Sequence, residues 1–385
     1  MNKKYHFARP ALAAHIAQML TGPIAVGLSS DGLFIGGERR IGKTAFLIND
    51  LVPDLERRGY LVIYIDLTLS QGDNTGSSIG QAFANAKRDA KGSIAKAVKK
   101  ITPAAINANV FGVGGGLNFA KNQDEGSMLD AFYELYSTVK KPIALIIDEA
   151  QRAMTNKLGQ DALWALKSTR DQIKNNSQSD AHLLLIFTGS NRAKLADMVT
   201  KKDQAFFGSS VMQMPYLGSE YIDDLCNMYN KNLNGASLDS KVTNELFIKL
   251  GKRPAILNDA IGACILSLDA MSTFNERLAA EVTTKAAAEA TLIRQQLENL
   301  PILARLVLSD IANDEVSAPV FSTENIAKYK SITGKKNLST ASIQAAIEVL
   351  IKAELVWKSN RGVYKLEEPS HAHLFSMTKK SMIKS

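Results

Sequence analysis

The sequence predicts an α/β protein: a three-layer parallel sheet covered by helices, then an all-α region, then a C-terminal winged helix. Three observations predict it. Short apolar runs without polar alternation recur between helical patterns from residue 33 to residue 187, and such strands are buried on both faces, as in a parallel sheet. After Met214-Pro215-Tyr216-Leu217 the pattern becomes wholly helical. From Pro301 it reads helix, helix, helix, hairpin, the element order of a winged helix.

Taken in order, Leu33-Phe-Ile-Gly36 is the first strand, residues 44–58 a helix, and residues 60–67 the second strand. Residues 142–147 and 182–187 are the third and fourth. Between the second and third lies an insert of about 76–122. Its first part, 76–102, reads as a helix carrying Lys87, Arg88, Lys91, Lys96, Lys99 and Lys100 against the single acid Asp89. Its second part, 106–120, alternates around Gly114 to Gly116 and predicts a hairpin. Helices are expected at 219–233, 240–250, 254–268, 275–299, 302–312, 322–331 and 339–353, and a wing at 356–366 turning at Asn360-Arg361-Gly362. The predicted domains are therefore 1–217, 218–299 and 300–385.

Composition narrows the class. The chain has 385 residues, 45% hydrophobic and 22% charged, with 46 basic against 38 acidic residues and a net charge of +8. A mild basic excess fits either an ordinary surface or an anionic partner. The two cysteines, Cys226 and Cys264, lie in apolar helical surroundings and predict buried thiols in a reducing compartment. Arg9, Pro10, His15 and Gln18 interrupt the apolar residues near the N-terminus. No run reaches the roughly 18 apolar residues of a membrane span. These features together predict a cytoplasmic protein that does not engage membrane.

The chemistry starts at GERRIGKT. Gly37-Glu38-Arg39-Arg40-Ile41-Gly42-Lys43-Thr44 matches G-x-x-x-x-G-K-[ST] between a strand and a helix that continues with Ala45. Gly37 and Gly42 let the backbone wrap a phosphate, and amides from about Arg39 to Thr44 face it at a helix N-terminus. Lys43 would reach the β- and γ-phosphates of ATP, and the Thr44 hydroxyl would ligate Mg²⁺. Phosphate cradling does not require the side chains of Arg39 and Arg40, which are expected to face outward. The third strand runs into Asp148-Glu149-Ala150-Gln151. Asp148 is expected to hold the magnesium and Glu149 to polarise the attacking water. At the end of the fourth strand, Thr188, Ser190 and Asn191 each suit a γ-phosphate sensor, while Ser190 or Asn191 could equally cap the next helix. Arg253, in Gly251-Lys-Arg-Pro254 between two helices, is either a second sensor or an ordinary helix-end arginine.

Taken together, GERRIGKT, Asp148-Glu-Ala-Gln151, Thr188-Gly-Ser190, Gly251-Lys-Arg-Pro254 and Gly362-Val-Tyr-Lys-Leu-Glu-Glu-Pro369 resemble the AAA+ superfamily of P-loop NTPases. The likeness is to the branch shared by archaeal-type ATPases and STAND signalling ATPases. It implies a nucleotide core, a helical lid and a winged helix, with ATP and Mg²⁺ bound and hydrolysed. It also implies that the segment containing Arg9 and Pro10 contacts the adenine. Ser209 stands where relatives often carry an arginine finger, leaving Arg192 or Arg170 as alternative sources. Hydrolysis is then expected to be slow without a partner.

Two functions remain open on sequence. One is an ATPase switch associated with duplex DNA through the winged helix and basic insert. Between residues 321 and 385, 11 basic residues stand against 5 glutamates, among them Lys328, Lys330, Lys335, Lys336, Lys358 and Arg361. The other is a switch that self-associates or controls a protein effector without DNA. It is favoured by a recognition helix with no Arg or Lys before Lys352 and Gln344 as its one long amide.

Overall fold

The computed structural model describes residues 5–22, 32–68, 75–93, 127–232, 237–266, 273–313, 319–335, 337–360, 362–372 and 374–375. The chain divides into two compact units. Met1–Gly37 and Lys43–Met214 form the first; Glu38–Gly42 and Pro215–Ser385 form the second.

The first unit is built on five parallel strands: β1 (Leu33–Gly36), β2 (Leu61–Asp66), β3 (Ile143–Asp148), β4 (Leu183–Gly189) and β5 (Val211–Gln213). Their spatial order is β2-β3-β4-β1-β5. The three central strands, β3, β4 and β1, are buried along their whole length, which is why their sequences show no polar alternation. Edge strands β2 and β5 are partly exposed. Phe34 of β1 stacks on Phe187 of β4 at 4.6 Å, and Phe206 packs against both. Gly36 pairs with Gly189 and Asp66 with Asp148. The carboxyl ends of these strands therefore open on one side of the sheet, where ligands bind in open α/β folds.

The helix expected at 44–58 is interrupted. It begins as Lys43–Phe46, passes through a π-helical turn at Leu47–Leu51 and resumes as Val52–Arg57. Val52 N donates to Leu47 O, five residues back. Pro53 immediately follows and has no N–H to give to the carbonyl of residue 49, so the ladder widens ahead of it. Of the predicted insert, helix Thr75–Ser93 is described; the hairpin expected at 106–120 lies outside the described residues.

In the second unit, helices Ser219–Asn232, Ser240–Lys249, Pro254–Leu266 and Phe274–Glu298 are followed by Ile302–Asn313, Thr323–Thr333 and Thr340–Lys352. Antiparallel strands Val356–Asn360 and Val363–Leu366 follow them as a hairpin. A reciprocal capping box, Thr273 with Glu276, starts the long helix. Its last turns send Ile293 and Leu297 into one core with Val307, Ile343, Ile347 and Val356. That shared core joins the end of the long helix to the elements after residue 300.

Candidate functional site

Two residues 104 positions apart meet at the carboxyl ends of β1 and β3. Thr44 Oγ1 donates to Asp148 Oδ2 at 2.7 Å. Asp148 is buried, and its carboxylate collects two further hydroxyls: Tyr64 of β2 donates to Oδ2 at 2.7 Å, and Thr188 of β4 donates to Oδ1. Burial first, and then the adjacent Asp148 charge, push the Tyr64 phenol far above its usual range, so it acts as a neutral donor. The backbone N–H of Glu149 also donates to Asp148 Oδ1, at 3.0 Å. A buried carboxylate held by hydroxyl and amide donors keeps a fixed orientation.

Lys43 is buried, and its Nζ donates to Gly37 O at 2.7 Å. The ammonium thus folds back to the first glycine of GERRIGKT. Gly42 has φ +94° and Arg40 φ +66°; glycine occupies that region freely, whereas arginine does so at a cost. Glu38 is 1% exposed, Ile41 is 1% exposed, and Arg39 and Arg40 are exposed. Residues 38–42 cluster with the second unit. There Glu38 accepts hydrogen bonds from Tyr216 OH and from Ser370 Oγ at 3.1 Å. Thr44 and Ala45 are exposed at the helix start.

Glu149 sits at φ +55°, an uncommon conformation for a residue with a side chain. Its Oε2 accepts from Ser190 Oγ at 2.8 Å, from Ser190 N at 3.4 Å and from Gln151 Nε2. Ser190 therefore touches the predicted base. Asn191 does something else: it is the N-cap of helix Arg192–Thr200, its side chain accepting from Lys194 N at 2.9 Å. Of the two residues that could cap this helix, Asn191 does so, and Ser190 meets Glu149.

Near the N-terminus, Arg9 precedes helix Pro10–Thr21, which has Pro10 at its first position. The Arg9 guanidinium lies over the Phe46 ring at 4.8 Å, and the Arg9 backbone N–H donates to Asp50 at 3.2 Å. Asp50 also holds His6 at 3.0 Å. Residues 6–10 are thereby fastened to the helix that follows GERRIGKT.

Arg253 is 7% exposed, and it grips a carboxylate. Nη1 and Nη2 donate to Glu289 Oε1 and Oε2 at 2.7 and 2.5 Å. His371 Nε2 lies 3.0 Å from Glu289 and 3.3 Å from Glu368. These three offer ligand atoms within 4.8 Å of one another, but the guanidinium already occupies both Glu289 oxygens. The cluster is an ion-pair network. Arg170 and Arg192 are also buried, and Arg170 pairs with Asp171.

Two contacts at Asp148 and Glu149, and one in the Arg253 ion-pair network, have no sequence signature. Tyr64 reads as an ordinary strand aromatic, Gln151 as a residue just past an acidic pair, and Glu289 as one exposed acid among many on a long helix. None carries a local motif.

Among the described residues, no helix is long and apolar enough to cross a membrane, and both cysteines are buried and free.

No family model matches the chain, and no curated protein matches it. Solved structures do. A Walker-type ATPase of Pyrococcus abyssi is similar at 18% identity and TM-score 0.53, covering 95% of each chain. The ORC2 protein of Aeropyrum pernix in its ADP form is similar at 12% identity and TM-score 0.58, covering 99% of this chain and 95% of that one. The fold is that of the AAA+ P-loop ATPases.

Proposed function

We propose that the protein binds Mg²⁺-ATP at GERRIGKT, hydrolyses it, and uses the nucleotide state as a switch. The observation that carries this reading is the Thr44–Asp148 hydrogen bond of 2.7 Å. It brings the hydroxyl and the carboxylate that a magnesium nucleotide needs to one point, from the helix after β1 and from the end of β3, two strands that are not neighbours in the sheet. Thr44 Oγ1 and Asp148 are the residues that would hold Mg²⁺, which neutralises charge on the β- and γ-phosphate oxygens. Their donor set of a hydroxyl and a carboxylate oxygen is what a hard cation prefers. Lys43 would leave Gly37 O for the phosphates. Glu149 would accept a proton from the water whose oxygen bonds to the γ-phosphorus, as the bridging P–O bond breaks and ADP departs.

For the use of the switch, a protein partner or a second copy is the better supported reading. Duplex DNA has less support. The presumed recognition helix exposes Thr340, Ala341, Ala345 and Glu348, none of them a phosphate ligand of positive charge. Gln344, its one base-reading amide, accepts from Tyr364 OH at 3.3 Å. Exposed Lys330, Lys335 and Lys358 speak for DNA, and a duplex titration across a salt series tests them. A steep salt slope supports DNA; no binding at low salt removes it.

The hydrolysis reading is tested with Asp148→Asn. Turnover should fall about 100-fold or more, in line with loss of a charged group at a phosphoryl-transfer centre. Turnover equal to wild type overturns it. Size measurement with and without a non-hydrolysable ATP analogue tests the switch: a size or assembly change supports it, and identical profiles oppose it.

A further inference from the structure

Gln151 sits two residues after Glu149, at the start of the 3₁₀ turn Ala150–Thr155. It is a carboxamide in a buried place, 5% exposed. Its Nε2 donates to Glu149 Oε2, the oxygen that also accepts from Ser190. Its Oε1 has no hydrogen-bond partner among the described residues. A buried acceptor without a partner costs stability, so an apolar residue of similar size would serve a purely structural role better.

The neighbouring backbone is shaped around this amide. Gly189 ends β4, and a Cβ added there would lie 2.4 Å from Gln151 Oε1 and 3.3 Å from its Cδ. Gly189 has no positive φ, so backbone conformation does not demand glycine at that position. A methyl group there would instead push the Gln151 amide out of its present position.

We infer that Gln151 is a positioning residue for hydrolysis: its Nε2 fixes Oε2 of the Glu149 carboxylate, and its own Oε1 is left to orient the attacking water. Gly189 acts through it, by leaving room for the amide. This rests on the reading of Glu149 as the base. Two donors from two elements, Gln151 after β3 and Ser190 after β4, set the plane of the carboxylate. With one donor gone, the carboxylate is free to rotate about its terminal torsion, which is broad. Misplacement of a reacting group by about an ångström costs up to roughly 100-fold in rate.

The test compares wild type with Gln151→Met, Gln151→Ala, Gly189→Ala and the Gln151→Ala/Gly189→Ala double variant, with Glu149→Gln alongside. Gln151→Met and Gly189→Ala should each lower kcat roughly 10- to 100-fold with KM and ATP affinity unchanged. In the double variant Gly189→Ala should add no further loss to Gln151→Ala, since residues acting through one another are not additive. Nucleotide-free Gln151→Met should unfold at the same temperature as wild type or higher. Normal kcat in Gln151→Met, with Glu149→Gln inactive, overturns the positioning role and leaves the base in place. Full activity of Glu149→Gln overturns the base as well. A lowered unfolding temperature of Gln151→Met with unchanged kcat assigns Gln151 to the fold alone and likewise overturns the role. If Gln151→Met fails to fold, Gly189→Ala decides, because it leaves Gln151 in the sequence.

Discussion

Arg253 holds Glu289 through both terminal guanidinium nitrogens, at 2.7 and 2.5 Å, across 36 residues of sequence. A bidentate arginine–carboxylate pair is geometrically specific and stronger than a neutral hydrogen bond. Burial taken alone would raise the Glu289 pKa. The hydrogen bonds from His371 and Arg253 together outweigh that and bring it to about 2, from an ordinary 4.5.

That depression gives a pH dependence of defined sign. A carboxylate whose folded pKa lies below its unfolded value contributes stability above the unfolded value, and loses it as pH falls through the folded one. The contribution of Glu289 should therefore be full above pH 4.5 and fade between 4.5 and about 2. Thermal unfolding of wild type and Glu289→Gln from pH 7 to pH 2.5 checks this. The gap between the two should narrow as the pH drops. A gap that is constant or widens contradicts the pairing.

Asn191 should matter to stability through its cap. Its side chain satisfies Lys194 N at the start of helix Arg192–Thr200, and loss of such a cap costs about 1 kcal/mol. Asn191→Ala should lower stability by that amount in denaturant unfolding, and Asn191→Asp should recover most of it. Equal stability of Asn191→Ala and wild type would show that the cap contributes nothing.

The exposed arginines of GERRIGKT should be separable. Arg40 has φ +66°, so Arg40→Gly should raise stability by about 1 kcal/mol through relief of a left-handed side-chain clash. Arg39 is exposed, and Arg39→Ala should leave ATP affinity within about threefold, since a solvated side chain adds little to a site formed by backbone amides. Calorimetric ATP titration reads the second effect. A large loss of affinity in Arg39→Ala would make that side chain a direct phosphate ligand.

Lys43 should behave oppositely. Its buried ammonium is already within the loop, 2.7 Å from Gly37 O. Hydrogen bonds to charged groups are worth about 1.5–3 kcal/mol, or roughly 10- to 100-fold in affinity. Lys43→Ala should weaken ATP by that factor in a fluorescent-analogue titration. Undiminished affinity would place the phosphates elsewhere.

The fold was legible because its signals are local. Leu33-Phe-Ile-Gly36 and Ile143 to Asp148 are apolar without alternation, and burial on both faces follows from that alone. GERRIGKT was legible because glycines at a fixed spacing report a backbone constraint. The π turn at Leu47–Leu51 was not, because residues 44–58 keep apolar positions at helical spacing throughout. Ser190 and Asn191 could not be told apart in the sequence, since either hydroxyl or amide can cap a helix; one residue of register decides that Ser190 meets Glu149. Tyr64, Gln151 and Glu289 were hidden for a different reason. Each gains its role from a partner on another element, and a tyrosine in a strand or a glutamate on an exposed helix has no pattern to distinguish it.

The central claim is that Glu149 activates water at a bound nucleotide, and Glu149→Gln with Mg²⁺-ATP tests it most directly. The amide keeps the shape and removes the base, so ATP should bind within about threefold of wild type while turnover falls about 100- to 10,000-fold, the usual worth of a general base. Turnover equal to wild type, with ATP bound, would contradict the account.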